Sequence, residues 1–80
     1  MNKEFILSHL KEGREQLDKI IEEIEKDQEF DYNGYLSDAM HIYNHLNTAW
    51  NIRNEDPKRL EICSKEDFRK WRQFPKDIKM

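Results

Sequence analysis

Residues 6–24 read ILSHLKEGREQLDKIIEEI, and residues 36–50 read LSDAMHIYNHLNTAW. In the first stretch Ile6, Leu10, Gly13, Leu17, Ile20 and Ile24 recur at alternating spacings of four and three. In the second, Leu36, Ala39, Tyr43, Leu46 and Trp50 recur at spacings of three and four. Such spacing gathers each set on one side of an α-helix. Two helices joined by a short connection fold back antiparallel. The pattern therefore predicts an all-α protein built on a long antiparallel helical hairpin.

The first helix is expected over about residues 3–28. Glu, Lys, Gln, Leu and Arg dominate it, all strong helix formers, and it contains no proline. Glu15 with Lys19 and Glu22 with Lys26 are acid-before-base pairs at i, i+4. Leu7 and Ile21 widen the apolar stripe. Gly13 occupies a position where a large residue is expected, at a cost of about 1 kcal/mol relative to alanine in a helix interior. It implies close approach of the facing helix or room for an aromatic such as Tyr43 or Trp50, unless it is a tolerated defect. Asn33-Gly34 is a turn signal, with Asp31 or Asn33 placed to cap the second helix and Phe30 and Tyr32 to fold over the hairpin end.

The second helix is expected over about residues 33–54. Its apolar arc adds Met40, Ile42 and Ala49 to the five residues above and covers about half of the helical wheel, enough to contact more than one neighbour. Asp56-Pro57 reads as a cap with proline at the first helical position, giving one turn over residues 58–62. Ser64-Lys65-Glu66-Asp67 resembles a capping box with Asp in place of Glu. A short third helix is expected over about residues 65–73, with Phe68, Trp71 and Phe74 as its buried edge. Pro75 ends it, and residues 76–80 are expected to fray.

Eighty residues make a single domain, taken as residues 1–80. A chain this short buries only about 60–65% of its unfolded surface and gains from a disulfide, a metal or a partner subunit. Cys63 is the only cysteine, so an internal disulfide is excluded. It reads as a small, partly buried apolar residue in a reducing compartment. The N-terminus does not read as a signal peptide, and no run approaches the roughly 20 apolar residues of a membrane span. A cytoplasmic location without membrane association is expected.

Charge is uneven along the chain. Residues 1–29 hold nine acids and five bases, residues 30–56 four acids and one base, and residues 57–80 four acids and eight bases. An acidic hairpin thus leads into a basic tail, for the overall net charge of −3.

Three residue sets invite chemistry. Asp38, His41 and His45 have the spacing Asp-x-x-His-x-x-x-His, which places three metal-ligating groups on one side of the second helix, largely opposite its apolar arc. The glutamate of a His-Glu-x-x-His site is absent. Asn44, Asn47, Asn51 and Asn54 form a stripe that helix propensity does not explain, and they suit directional bonds to another subunit, to the C-terminal segment or to a ligand. The segment 68–74 interleaves bases with aromatics, as in surfaces that track phosphates and stack bases. Its three-residue aromatic spacing fits an inward apolar edge better, with Arg69, Lys70 and Arg72 outward, and the acidic whole disfavours nucleic acid. Gly13 and Gly34 are the only glycines and form no phosphate-cradling loop, and no serine lies in a Gly-x-Ser-x-Gly turn.

The chain reads as a non-enzymatic interaction module that needs no cofactor and forms a homodimer. Dimerisation into a four-helix-bundle-like assembly covers the surplus apolar arc. The expected interface comprises Met40, Tyr43, Asn47, Trp50 and Asn51. A metal or small-ligand site at Asp38, His41 and His45 is the first alternative, and a nucleic-acid adaptor acting through the basic tail is the second.

Overall fold

A computed structural model describes residues 1–27 and 29–79. The ordered elements among the described residues are all helices, with α1 at Lys3–Lys26, α2 at Tyr32–Asn51, α3 at Pro57–Ile62 and α4 at Lys65–Trp71. Helices α1 and α2 pack along their length as the expected hairpin. Gln28, the expected end of the first helix, lies outside the described residues.

The caps are those the sequence predicts. Asp31 accepts a hydrogen bond from the Gly34 N–H, Asp56 from the Lys58 N–H with Pro57 between them, and Ser64 from the Asp67 N–H. Asn33-Gly34 is not the hairpin turn. With Asp31 as cap, both residues fall in the first turn of α2, and the chain reverses before them. At the other end α2 stops at Asn51 instead of Asn54, and α4 stops at Trp71 instead of Gln73.

Asparagine amides organise both of these ends. The last carbonyls of a helix have no partner within it. The Asn51 Nδ2 donates to the carbonyls of Trp71 and Gln73 at 2.8 and 2.9 Å, and the Asn47 Nδ2 donates to that of Arg72 at 2.9 Å. Asn2 does the same beyond α2, donating from Nδ2 to the Ile52 and Glu55 carbonyls at 2.8 and 2.7 Å and from its backbone N–H to Arg53. Two members of the stripe, Asn47 and Asn51, thus serve the C-terminal segment of their own chain, while Asn44 lines a cleft and Asn54 lies exposed beyond α2.

The densest core lies at this same end. Ile52, only 1% exposed, packs with Leu60 and Trp71, and Phe5 of α1 closes on them. Full burial of such a side chain stabilises by about 1.5–3 kcal/mol. Of the three aromatics expected along the inner edge of α4, only Trp71 is buried. Phe68 is half exposed beneath the Arg72 guanidinium, 4.7 Å from its ring centre, and Phe74 lies outside after α4 has ended. Cys63 is also exposed, because it closes α3 in the left-handed region at φ 44° and its side chain leaves the core.

The expected frayed tail is tied to α2 at Asp77. Asp77 accepts from the Trp50 indole N–H at 3.0 Å and from Arg53 at 2.7 Å, and Arg53 stacks on the Trp50 ring at 3.9 Å. Pro75 is buried and Ile78 is half-buried. Met80 lies outside the described residues.

Candidate functional site

The hairpin seam is not made of the residues that dominate the apolar pattern. Gly13, Ile20 and Ala49 are the buried residues of α1 and α2. His45 faces Gly13: a Cβ built on that glycine meets the His45 Cβ at 3.8 Å, an ordinary contact. Tyr43 and Trp50, expected at this level, point elsewhere. Small residues on the seam let the helices come close, and the histidine occupies the space opposite the glycine.

The large apolar residues stand to one side. Leu7, Leu10, Leu17, Ile21 and Ile24 of α1, and Leu36, Met40, Tyr43, Leu46 and Trp50 of α2, are each 40–63% exposed. At 3.6 residues per turn, the α1 set lies about 20–120° around its helix from Gly13 and the α2 set about 60–180° from Ala49, both in the direction of increasing residue number. Right-handed helices running antiparallel carry that direction to the same face of the hairpin. The ten side chains thus form one apolar surface. With each about half exposed and about 200 Å² for a fully exposed large side chain, this surface presents on the order of 1,000 Å².

The opposite face holds a cleft of about 300 Å³ between the hairpin and the C-terminal helices. Phe5, Ile52, Leu60, Phe68 and Trp71 give it apolar walls. All three histidines of the chain, His9, His41 and His45, also line it. His9 of α1 and His45 of α2 meet across the seam, Nδ1 to Nδ1 at 3.1 Å, and Glu12 Oε2 lies 3.3 Å from the same His45 nitrogen. The rings are tilted by 42° with centroids 5.4 Å apart. Burial, and then the neighbouring His45, hold the His9 imidazole below its ordinary value of 6.5, against an upward pull from Glu12. Between two facing imidazole nitrogens there is room for one proton, so a neutral pair has one donor and one acceptor.

The structure therefore regroups the expected ligand set. His45 turns to the seam and joins His9 and Glu12, so it does not lie opposite the inward side of α2. Asp38 stands two turns away, half-buried and outside this cluster, and His41 lines the cleft without joining it. The expected interface set divides as well. Met40, Tyr43 and Trp50 lie on the exposed apolar face, whereas Asn47 and Asn51 have their amides committed to carbonyls 71–73. In the basic tail, Arg69 and Lys70 are exposed, but Trp71 is in the core and Arg72 covers Phe68, which leaves no open run of aromatics for bases to stack on.

Among the described residues no helix is long and apolar enough to cross a membrane. No family model matches this chain, and neither a curated protein nor a solved structure shows significant similarity to it.

Proposed function

We propose that the protein is a non-catalytic interaction module that works as a homodimer, with the shared apolar face of α1 and α2 as its interface. The carrying observation is that face. Monomeric proteins seldom expose a contiguous apolar patch beyond a few hundred Å², and a stable interface takes about 800 Å² from each partner. Ten large side chains in two adjoining stripes meet that requirement without any rearrangement of the hairpin.

Charge favours a second copy as the occupant. From Leu7 to Glu25 the outer border of the α1 stripe carries Lys11 and Arg14 in its first half, then Asp18, Glu22 and Glu25 in its second. A two-fold axis that sets one α1 antiparallel to its mate brings basic halves against acidic halves, as an isologous contact requires. Tyr43 and Trp50, 63% and 40% exposed, are the aromatic anchors such an interface concentrates its energy on.

Light scattering after size exclusion, over a tenfold range of concentration, tests this. The expected mass is near twice the 9.9 kDa of the chain. Leu17→Glu places a charge at the middle of the face and off the seam, and is expected to give a helical monomer. A monomeric mass for the unaltered chain throughout that range, or an unchanged dimer in Leu17→Glu, overturns the proposal.

A further inference from the structure

We infer that His9, Glu12 and His45 form a binding site for a zinc-class divalent transition-metal ion that clips α1 to α2. The inference stands apart from dimerisation, since the cluster lies on the cleft side of the hairpin and not on its apolar face.

Geometry is the first ground. The three ligand atoms lie within 4.8 Å of one another. With zinc–nitrogen and zinc–oxygen bonds of about 2.0–2.2 Å, the edge of a tetrahedron of ligands is about 3.3–3.6 Å. The His9–His45 separation of 3.1 Å and the His45–Glu12 separation of 3.3 Å are already close to that edge. The remaining edge, between His9 and Glu12, joins neighbours at i, i+3 on one helix. Glu12 is the member free to close it, since its side chain is 56% exposed.

Ligand chemistry is the second ground. Two neutral imidazoles and one carboxylate are a borderline nitrogen and oxygen set that suits zinc and its neighbours in the transition series, and not magnesium or calcium, which take oxygen. With His9 and His45 aiming Nδ1 at each other, a metal ion uses both lone pairs where a proton uses one as acceptor. The small residue at position 13 leaves room for His45 against α1, where a Cβ would meet the His45 Cβ at an ordinary 3.8 Å. Three protein ligands leave a fourth position for water or a small anion, as in open zinc sites. His9 and His45 both border the cleft, so a molecule held there sits beside the ion.

Titration calorimetry of zinc chloride into protein freed of metal with EDTA tests the site, with magnesium chloride as comparison. One zinc per chain is expected, with a rise in the thermal midpoint and no response to magnesium. Replacing an outer partner of a metal ligand costs about 10–100-fold in affinity, so Glu12→Gln and His45→Gln, which remove ligands, are expected to lose more than about 100-fold. Asp38→Asn, outside the cluster, is expected to bind as the unaltered chain does. Glu12 is exposed, so Glu12→Gln retains the fold whatever becomes of the histidine variant. Zinc affinity unchanged in Glu12→Gln, a loss confined to Asp38→Asn, or no binding at about 1 mM zinc overturns the assignment.

Discussion

Replacing Asn51 with aspartate tests how the C-terminal segment is held. Its side-chain amide donates both hydrogens, to the Trp71 and Gln73 carbonyls at 2.8 and 2.9 Å. A neutral hydrogen bond contributes about 0.5–1.5 kcal/mol net, so Asn51→Ala is expected to cost about 1–3 kcal/mol. The Gln73 contact is exposed and water replaces part of it, which sets the expectation near about 1.5–2 kcal/mol. Asn51→Asp keeps the shape, removes both donors and aims a carboxylate at two carbonyl oxygens. Its cost is expected to exceed that of alanine, an inversion of the usual order for a conservative change. A domain of this size has about 4–12 kcal/mol of stability in all. With a urea slope of about 1 kcal/mol per molar, the alanine variant lowers the unfolding midpoint by about 1.5–2 M. The assay is urea unfolding followed by tryptophan fluorescence, which reports the release of buried Trp71, at one fixed protein concentration because self-association shifts apparent stability. An aspartate variant as stable as the alanine variant, or more so, refutes the reasoning, since the amide then does not act as a donor to these carbonyls.

The seam carries two further expected outcomes. Gly13→Ala is expected to raise stability by about 0.5–1 kcal/mol in the same assay, because the new methyl group meets His45 Cβ at an unstrained 3.8 Å while the helix loses its most flexible residue. His9 is held below its ordinary value of 6.5 in the folded chain, so the unfolded chain takes up a proton first as pH falls through that value. Metal-free protein is therefore expected to lose stability as pH falls through 6.5 on this account, and His9→Gln to flatten that limb in unfolding curves taken across neutral to mildly acidic pH.

Spacing and end signals made the helices legible. The threes and fours over Ile6–Ile24 and Leu36–Trp50 marked the hairpin, and Asp31, Asp56-Pro57 and Ser64 marked where helices begin. Which side of each helix meets the other was not legible from hydrophobicity. The seam is built of Gly13, Ala49, His9 and His45 around Ile20, with Ile6 and Ile42 half-buried, while ten other large apolar residues of the two helices remain about half exposed, so most of the apolar pattern points to the outer face. The three-residue cluster was hidden for a related reason. Its members lie on two helices, and spacing within one helix detects only Asp38, His41 and His45. Register across the turn is the signal that finds it: Glu29 stands midway in sequence between Gly13 and His45, so folding the chain about that residue puts the histidine opposite the glycine and within a turn of Glu12.

The division of labour between the two faces explains why a hairpin would carry its large residues outside. Interhelical distance is set by the side chains at the contact, and bulky residues on both helices hold the axes at the upper end of the 8–10 Å range. Here Gly13 and Ala49 remove that bulk, and the approach they allow brings His9 and His45 to 3.1 Å across the seam. The large side chains excluded from the seam still have to leave water if they are to contribute to stability. Ile52, Leu60, Trp71 and Pro75 are gathered at the C-terminal helices, whereas among the described residues between Leu17 and Leu46 only Ile20 is buried. The far half of the hairpin thus has little core of its own. In the reading proposed above, a second copy laid on the apolar face would supply that half with a core, and a metal ion at His9, Glu12 and His45 would tie the same hairpin from the opposite side. Both proposals rest on the small and polar residues found where the two helices meet.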